Sequence, residues 1–392
     1  MKILALGGCG EIGRHASKTL LADPVVKSVV IADRDGERAK AFAQTLGNRA
    51  SWQALDITDA AALKGAIENA DIIINTVGPY FRFGPVVLDA AIAAKKHYLD
   101  VCDDWEPTLE MLSRHEKARD AGITAILGLG ATPGISNILA RKAVSLLSRA
   151  DSIITGWQLS EALPEKIEKT PSAATVHGMH QLTGKIRVFR QGSFVEEKPI
   201  RKVKINYPGF GSHIACTIGH PEPVTLPRFL SGIKTSVNVM VAPSPIILAL
   251  KALTFLVDKG LVSHEGAAWF SERVEGPNLG KREASLLGDL LKKKGPTFLP
   301  PLFALAEGMM DGKPASVGCA LAAGPQGGMG PATGIPLAIG AILAAQGRLA
   351  GPGVLPPEAA IEPDAFFQIF GQFTSPKTDE KSSVLITRSW ES

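Results

Sequence analysis

Through the first 130 residues, short apolar runs alternate with longer segments whose apolar positions recur at helical spacing. Residues 29–33 and 71–75 are rich in Val and Ile and have the length of buried strands. Between them, Ala39, Phe42 and Leu46 fall on one face of a predicted helix. Two more helices are predicted farther on, at 84–95 and 106–121. Strands separated by helices of this length predict right-handed crossovers and therefore a parallel sheet.

The pattern changes near residue 130, where residues 128–134 form a glycine-containing, hinge-like loop. Strand signals dominate residues 152–241, and turns containing Pro and Gly interrupt them. Helices are predicted again at 246–259 and 282–293.

This division predicts an α/β chain with two domains, which suits its 392 residues. Residues 1–130 are predicted to form a Rossmann-type parallel sheet domain. Residues 131–326 are predicted to form a second, α+β domain for substrate binding and dimerisation. Residues 374–392 are predicted to form a polar tail.

The bulk composition narrows the classes of partner. A net charge of +4 is too small at this length to indicate nucleic acid or an acidic membrane. The four cysteines are far apart and form no CxxC pair, so neither a disulfide framework nor a zinc site is indicated. The longest apolar stretch, residues 335–345, is too short to cross a bilayer. We expect a soluble, cytoplasmic protein that acts on a small molecule.

A glycine motif follows the first predicted strand directly. Gly8, Gly10 and Gly13 form the pattern GxGxxG. Gly8 is expected to allow the tight turn, Gly10 to let the backbone approach a pyrophosphate, and Gly13 to let the next helix pack closely. That helix begins around Glu11 and Ile12, and its N-terminus is predicted to stabilise the phosphates.

The second predicted strand ends in an acid, Asp33, which lies 20 residues after Gly13. This spacing is typical of a carboxylate that binds the adenosine ribose hydroxyls. The acid favours NAD over NADP, because burying it against a phosphate is costly. NADP stays open, since Arg34 and Arg38 follow and either can pair with a 2′-phosphate. We also include Asp56, just after the third strand, among the cofactor-binding residues.

Two further loops follow predicted strands at the edge where ligands bind in open parallel sheets. In residues 75–80, the Gly78-Pro79 pair is expected to hold the backbone near the nicotinamide, with Tyr80 as a polar contact. In residues 130–134, the start of the next helix can face an anion such as a substrate carboxylate.

Acidic residues cluster after the strand at 97–101, with four acids in residues 100–106. Like charges this close raise the pKa of at least one member, so the cluster can bind an ammonium group or exchange a proton. The alternative is a set of helix-capping acids. We favour a functional role for Asp103, and both alternatives stay open for Asp104.

His177 and His180 stand three residues apart, which places them on one face of a helix. Two histidines at this spacing can bind a metal, but the sequence offers no evident third ligand, so no metal is predicted. A role in lining the catalytic cleft is the alternative, and we assign it to His177.

The order of these motifs and loops along the chain resembles that of the saccharopine dehydrogenase-like family. The resemblance rests on the motif Gly8 to Gly13, the loop 75–80, the strand 97–100, the loop 130–134 and a late segment at 330–358. It covers the N-terminal 140 residues well, the late segment moderately and the middle loosely.

The resemblance implies a Rossmann domain, to which residues 327–373 return, and a second domain whose sheet forms a homodimer. By the same resemblance, Asn75, Gly78 and Pro79 approach the nicotinamide ribose, and Thr333 lies near the cofactor.

Members of this family include saccharopine reductase, lysine 6-dehydrogenase and carboxynorspermidine dehydrogenase, and they transfer hydride at C–N bonds. Asp33 matches the NAD-using lysine dehydrogenase type better than the NADPH-using type, and the acidic loop 103–106 departs from the usual pattern.

The sequence thus predicts an oxidoreductase that uses NAD, with NADP possible, on an amino acid, opine or imine. Asp103, Tyr80 and His177 are the predicted catalytic residues. One alternative is a dinucleotide-binding regulatory protein without turnover. The other is a reductase of a C=C or C=O bond in a larger apolar substrate, for which predicted helices at 246–257 and 301–310 offer apolar surface.

Overall fold

A computed structural model of the chain describes residues 1–162, 170–171, 173–279, 298–379 and 382–391. The helix predicted at 282–293 lies outside the described residues. Two units are present, one made of Met1–Ile138 and Gly324–Glu380, the other of Leu139–Ala323 and Lys381–Ser392.

The chain forms its helices and strands in three stretches, which end at residues 145, 321 and 388. The first stretch contains β1 (Lys2–Leu6), α1 (Glu11–Ala22), β2 (Ser28–Asp33), α2 (Gly36–Thr45), β3 (Ala50–Ala54), α3 (Ala60–Glu68), β4 (Ile72–Asn75), α4 (Tyr80–Ala93), β5 (His97–Asp100), α5 (Trp105–Leu112), α6 (His115–Asp120), β6 (Thr124–Ile126) and α7 (Ile135–Ser145). The second stretch contains β7 (Arg149–Gln158), α8 (Ala173–Gln181), β8 (Ile186–Arg190), β9 (Ser193–Glu197), β10 (Lys202–Tyr207), β11 (Gly211–Thr217), α9 (Glu222–Phe229), β12 (Thr235–Val241), α10 (Ser244–Asp258), α11 (His264–Leu279), β13 (Leu302–Met310) and β14 (Lys313–Leu321). The third stretch contains α12 (Met329–Ala345), β15 (Gly353–Leu355), α13 (Pro357–Ala360), α14 (Pro363–Phe370) and β16 (Val384–Arg388).

The first unit contains a parallel sheet. Among the described residues, seven strands follow the order β15-β6-β5-β4-β1-β2-β3, and every neighbouring pair is parallel. The middle strands β4 and β6 are buried along their whole length, because helices cover a parallel sheet on both faces. The strand order reverses between β1 and β4, so a ligand crevice is expected outside their carboxyl ends. The predicted Rossmann-type sheet is confirmed.

Two helices of this unit differ from their predicted bounds. Helix α4 was expected from residue 84, but it begins at Tyr80 and contains Pro85. The single helix expected at 106–121 is divided into α5 and α6. At the junction, the Arg114 guanidinium bonds to Asp89 of α4 at 2.9 Å, a contact that no local pattern predicts.

A late segment of the chain completes the first unit. Helix α12 packs against α1 through glycines, since a Cβ at Gly334 would lie 2.6 Å from the carbonyl oxygen of Ile12. After α12, strand β15 pairs with β6 at the edge of the sheet, where Val354 lies opposite Ala125.

The second unit is built on a mixed sheet. Its described strands run in the order β10-β11-β12-β7-β13-β14-β16, and β8 joins β12 and β9. Strands β12 and β7 are parallel, whereas their outer neighbours β11 and β13 are antiparallel to them. The predicted α+β second domain is confirmed.

One prediction in this unit is wrong. Residues 301–310 were expected as a helix, but they form β13 between β7 and β14. A continuous apolar run suits either a buried helix or a central strand, and here pairing on both sides decides for the strand. Strand β16, within the predicted tail, pairs with β14. Among the described helices, none has both the length and the apolar character needed to cross a membrane.

Candidate functional site

The chain leaves β1 through a glycine turn that holds α1 close to the sheet edge. Gly7 has a φ of +70°, which glycine adopts without strain, and its N–H donates to Ala32 O at 2.9 Å. The turn was expected at Gly8; it lies one residue earlier, and a Cβ at Gly8 would instead lie 2.8 Å from Ala5 O. A Cβ at Gly13 would lie 2.3 Å from Gly7 O, so α1 packs directly on the loop.

The start of α1 suits an anion. Gly10 is the N-cap residue and supplies no side-chain acceptor. The backbone N–H groups of Glu11, Ile12 and Gly13 form the first turn, where a helix offers no internal acceptors. The helix dipole adds a partial positive charge at this end. This cradle, too tight for a Cβ at Gly13, fits the pyrophosphate of a dinucleotide.

Asp33 closes β2 at the same edge and is half-buried. Its carboxylate accepts the N–H of Asp35 at 3.2 Å and hydrogen-bonds the side chain of Cys9. Burial, followed by this hydrogen bond and the charge of Asp33, raises the pKa of the Cys9 thiol to about 12. Cys9 therefore remains a thiol that holds Asp33 in place, and it is not a nucleophile at neutral pH.

Asp56 lies just after β3 and is exposed. Hydrogen bonds from the N–H and hydroxyl of Thr58, at 2.9 and 2.7 Å, lower its pKa, and the positive charges of Arg34 and Arg82 contribute further. The carboxylate is thus ionised at neutral pH, and cationic side chains lie near enough to act on it.

Asn75 ends β4 and is fully buried. Its Oδ1 accepts the N–H of Val77 at 3.0 Å, and its Nδ2 donates to the Tyr98 hydroxyl at 3.1 Å. The hydroxyl of Thr76 lies within hydrogen-bond distance of two carbonyl oxygens, Leu6 O at 2.9 Å and Gly7 O at 3.1 Å, and donates to one of them. The loop after β4 is therefore tied to β5 on one side and to the glycine turn on the other.

The rest of this loop leads into α4. Gly78 and Pro79 are exposed, and Pro79 is the N-cap residue of the helix. Tyr80 is buried, and its hydroxyl donates to Asn75 O at 3.2 Å. Burial raises the pKa of Tyr80 well above its ordinary value, so its phenol stays neutral.

Asp100, at the end of β5, is the centre of a buried polar network. Its Oδ2 accepts the Tyr98 hydroxyl at 2.9 Å. Its Oδ1 accepts the N–H groups of Cys102 at 3.1 Å and Gly128 at 2.7 Å. Burial raises the pKa of Asp100 to about 6, although these hydrogen bonds oppose the shift.

The acidic loop continues from this network. Asp103 and Asp104 are half-buried. Asp104 is the N-cap residue of α5, but its side chain makes no capping hydrogen bond, so capping does not account for that carboxylate. The negative charge of Asp103 raises the pKa of Asp100 and of Tyr80, which locates Asp103 at the same sheet edge.

The loop between β6 and α7 is also held by polar side chains. The N–H of Gly134 donates to Asn137 Oδ1 at 2.9 Å, and Asn137 Nδ2 donates to Glu358 Oε2 at 2.8 Å. Thr333 of α12 packs on this loop, because a Cβ at Gly130 would lie 3.0 Å from its Cγ2.

His177 belongs to the second unit, where it lies on α8 and is half-buried. Its Nε2 is 3.1 Å from the side-chain nitrogen of Gln181, one turn later. His180, also on α8, stacks on His264 of α11 with ring centroids 3.7 Å apart.

The first unit thus brings the predicted cofactor-binding residues, Asp103 and Tyr80 to one edge of its sheet. Sequence reasoning did not select Thr76, Tyr98 or Asp100, which tie the loops of that edge together. A signal was present for two of them, because Asp100 ends β5 and Thr76 directly follows β4. Tyr98 lies within β5 and had no such signal.

Comparison with known proteins identifies this domain. Residues 3–126 match the family described as the saccharopine dehydrogenase NADP binding domain. Residues 3–126 are therefore similar to this family. The resemblance inferred from the motifs is confirmed, as is the prediction of a dinucleotide-binding domain.

Three curated relatives match between 33% and 59% of the chain. The saccharopine dehydrogenase [NADP(+), L-glutamate-forming] of Saccharomyces cerevisiae is 30% identical over 149 residues, which are 38% of this chain and 32% of the relative. The carboxyaminopropylagmatine dehydrogenase of Synechocystis is 24% identical over 255 residues, 59% of each protein. The trans-acting enoyl reductase of Mycobacterium tuberculosis is 26% identical over 132 residues, 33% of this chain and 32% of the relative. The chain therefore spans about a third of the length of the yeast relative and about three fifths of the Synechocystis one.

A solved structure extends the comparison to the whole fold. The apo saccharopine dehydrogenase (L-Glu forming) from Saccharomyces cerevisiae has a TM-score of 0.63 to this chain at 17% identity and covers 99% of both chains. This similarity confirms the predicted fold class.

Proposed function

We propose that this protein is an NAD(P)-dependent oxidoreductase that transfers hydride at a C–N bond of an amino acid, opine or imine. The observation that supports this best is the carboxyl edge of the first sheet, where the glycine turn, Asp33 and the loop after β4 lie within a matched NADP-binding domain. The names of two relatives, saccharopine dehydrogenase and carboxyaminopropylagmatine dehydrogenase, support the C–N bond as the reacting group.

In this proposal the chain binds and orients its ligands. A bound nicotinamide dinucleotide supplies a hydride to an imine carbon, or accepts one from an amine carbon, and a proton moves to or from the nitrogen. The first turn of α1 binds the pyrophosphate, and Asp33 binds the ribose hydroxyls. Asp103 balances the positive charge of the iminium or ammonium group.

Tyr80 and His177 remain predicted catalytic residues. For Tyr80, the hydrogen bond to Asn75 O supports a role in shaping the loop, because that contact already uses the proton of its hydroxyl.

The most direct check of the proposed function is Asp103→Asn, which should lower turnover while leaving dinucleotide affinity unchanged. Equal turnover in the variant would remove Asp103 from the proposed site.

The choice between NAD and NADP depends on Asp33 and its basic neighbours. We propose a preference for NAD(H), because the Asp33 carboxylate repels a 2′-phosphate. Calorimetric titration of NADH and NADPH onto wild type should give tighter NADH binding, and Asp33→Ala should weaken NADH by about tenfold. Preferred NADPH binding in wild type would instead assign the phosphate to Arg34 and agree with the NADP(+) enzymes among the relatives. Binding of neither would remove the dinucleotide assignment.

The reaction is tested with a panel of substrates. Oxidation of opines, diamines and amino acids is followed by the appearance of reduced nicotinamide, and the reverse reaction uses keto acids with amines. An enoyl thioester belongs in the panel because the mycobacterial relative is named as an enoyl reductase. Turnover of the thioester alone would favour a C=C reductase, and dinucleotide binding without any turnover would favour a regulatory protein.

We also propose a homodimer located in the cytoplasm. The family resemblance, in which the second domain's sheet forms the dimer, supports the assembly. Sedimentation velocity should give twice the chain mass of 41.3 kDa.

A further inference from the structure

We infer that Asp100 is a positioning residue for the nicotinamide half of the cofactor, because its carboxylate joins the three loops that follow β4, β5 and β6. The inference rests on the proposed function, since it concerns the same dinucleotide site. It extends that proposal by naming a buried group that the reaction itself does not touch.

The three loops meet on one carboxylate. The loop after β5 donates through Cys102 N–H, and the loop after β6 donates through Gly128 N–H. The loop after β4 is reached through the Tyr98 hydroxyl, which donates to Asp100 and accepts from Asn75 Nδ2. In a doubly wound sheet these strand ends flank the nicotinamide side of the crevice.

The direction of these hydrogen bonds favours the charged form of Asp100. A carboxylate accepts on both oxygens, and here it accepts three donors. A proton on Oδ2 makes that oxygen a donor toward Tyr98, whose oxygen already accepts from Asn75. The Tyr98 hydrogen then loses its acceptor inside a fully buried site, and the link between β5 and the loop after β4 is weakened.

Several titratable groups of the described residues act on Asp100. Tyr98 lies on its own strand, Tyr80 faces it from α4, and Cys102 and Asp103 face it from the following loop. Burial raises the pKa of both tyrosines and of Cys102, so these groups stay neutral in the acidic range. Asp100, with its pKa at about 6, changes charge just below neutral pH, and the negative charge of Asp103 contributes to that raised pKa.

Protonation of Asp100 is expected to weaken nicotinamide binding, whereas it stabilises the folded state. The pKa of Asp100 rises from its ordinary 3.8 to about 6 on folding, so its contribution to stability is full below the lower value and is lost as pH rises through about 6. Acidification through that range therefore favours the folded state at this group. A loss of nicotinamide affinity there cannot be explained by unfolding caused by Asp100.

The experiment compares whole cofactor with its adenosine half. Calorimetry measures the dissociation constants of NAD+ and ADP-ribose, and of NADP+ and 2′-phospho-ADP-ribose, between about pH 7.5 and about pH 5. The ratio of fragment to dinucleotide dissociation constants reports the nicotinamide half alone, because titration at the adenosine half cancels. We expect this ratio to fall about tenfold on acidification, with a midpoint near the pKa of Asp100.

Three variants test whether Asp100 causes the pH dependence of this ratio. Asp100→Asn should have the low ratio at every pH, and Tyr98→Phe should lower the ratio at neutral pH. Asp71→Asn is the matched control, since Asp71 also accepts a backbone N–H, that of Lys2 at 2.8 Å, but lies before β4, at the opposite end of the strand from Asn75. It should behave as wild type.

The outcomes separate the two proposals. A pH-independent ratio in wild type overturns the role of Asp100 even if the variant fails to fold, and leaves the oxidoreductase proposal standing. A pH-dependent ratio that survives in Asp100→Asn also overturns it. Absence of binding by any of the four ligands overturns both proposals. A falling ratio that Asp100→Asn abolishes and Asp71→Asn retains supports the inference.

Discussion

The two sheets of this protein use buried polar residues in different places. In the parallel sheet, Asn75 and Asp100 stand at the carboxyl ends of neighbouring strands and bond to loops. In the mixed sheet, Thr155 and Asn238 are paired within β7 and β12, and Asn238 Nδ2 donates to the Thr155 hydroxyl at 2.9 Å. Polar groups at strand ends shape a ligand crevice, whereas the Thr155–Asn238 pair joins two strands within a core.

The glycines show the same contrast. Gly13 approaches other backbone atoms, those of the glycine turn after β1. Gly318 of β14 approaches an aromatic ring, since a Cβ there would lie 2.4 Å from Tyr207 Cζ. The lack of a side chain allows a tight backbone turn in one unit and a packed ring in the other.

The largest effect is expected for Gly13→Ala. The added Cβ would lie 2.3 Å from Gly7 O and 2.7 Å from the Cα of Gly8, neither of which can move without distorting the turn. We expect dinucleotide affinity to fall by about ten- to a hundredfold, because N–H groups on a charged ligand are worth about 1.5–3 kcal/mol each. Overpacking should also lower the free energy of unfolding by about 1–3 kcal/mol. Titration calorimetry and chemical denaturation measure both quantities.

The control for this variant is Gly65→Ala in α3. A Cβ at Gly65 meets nothing within 4 Å, so the change should raise stability by about 0.5–1 kcal/mol and leave affinity unchanged. If Gly13→Ala behaves like this control, the close packing of α1 on the turn is not what the site requires.

The second effect, in the other sheet, concerns Gly318→Ala. Tyr207 is held by Phe210 and Phe303, at centroid distances of 5.2 and 5.5 Å, and it cannot withdraw from a new methyl group without cost. We expect a loss of about 1–3 kcal/mol in unfolding free energy with unchanged dinucleotide affinity. Gly178→Ala, whose Cβ meets nothing within 4 Å, provides the matched control. A large loss of affinity in Gly318→Ala would contradict the distinction between the two units.

The smallest effect is a gain. Within the described part of the chain, the Tyr207 hydroxyl is buried and has no hydrogen-bond partner. Tyr207→Phe removes that group and should raise the free energy of unfolding by about 1 kcal/mol. Denaturant titration measures the change, and a clear loss of stability would show that the hydroxyl has a partner.

The parallel sheet could be predicted because its signals are local. Strands such as β1, β2 and β4 are short apolar runs. Asp59 caps α3 by accepting hydrogen bonds from the N–H groups of Ala61 and Ala62, as sequence rules predict. The mixed sheet was predicted less completely. Strand β9 and the first half of β11 are largely exposed and lack a strong apolar pattern. The helix expected at 301–310 is a strand because of neighbours distant in sequence.

The candidate site was also predicted in part. The glycine motif and Asp33 follow a fixed spacing within one βαβ unit, so the sequence alone suggests them. The Asp100 network follows no such spacing. Gly128 lies 28 residues from Asp100, and Asn75 is connected to Asp100 through the Tyr98 hydroxyl. Hydrogen bonds of this kind depend on how strands are aligned side by side, which periodicity does not report.

Strands β15 and β16 have a consequence for the order in which the molecule is made. Each lies at the edge of a different sheet, and both come from the same late stretch of the chain, Gly353–Arg388. During synthesis on a ribosome, neither sheet can acquire its final strand until that stretch has emerged. Nascent chains stopped earlier expose the bare edges of β6 and β14, which are templates for aggregation. Cellular yield should therefore depend on chaperones that shield these edges until translation ends.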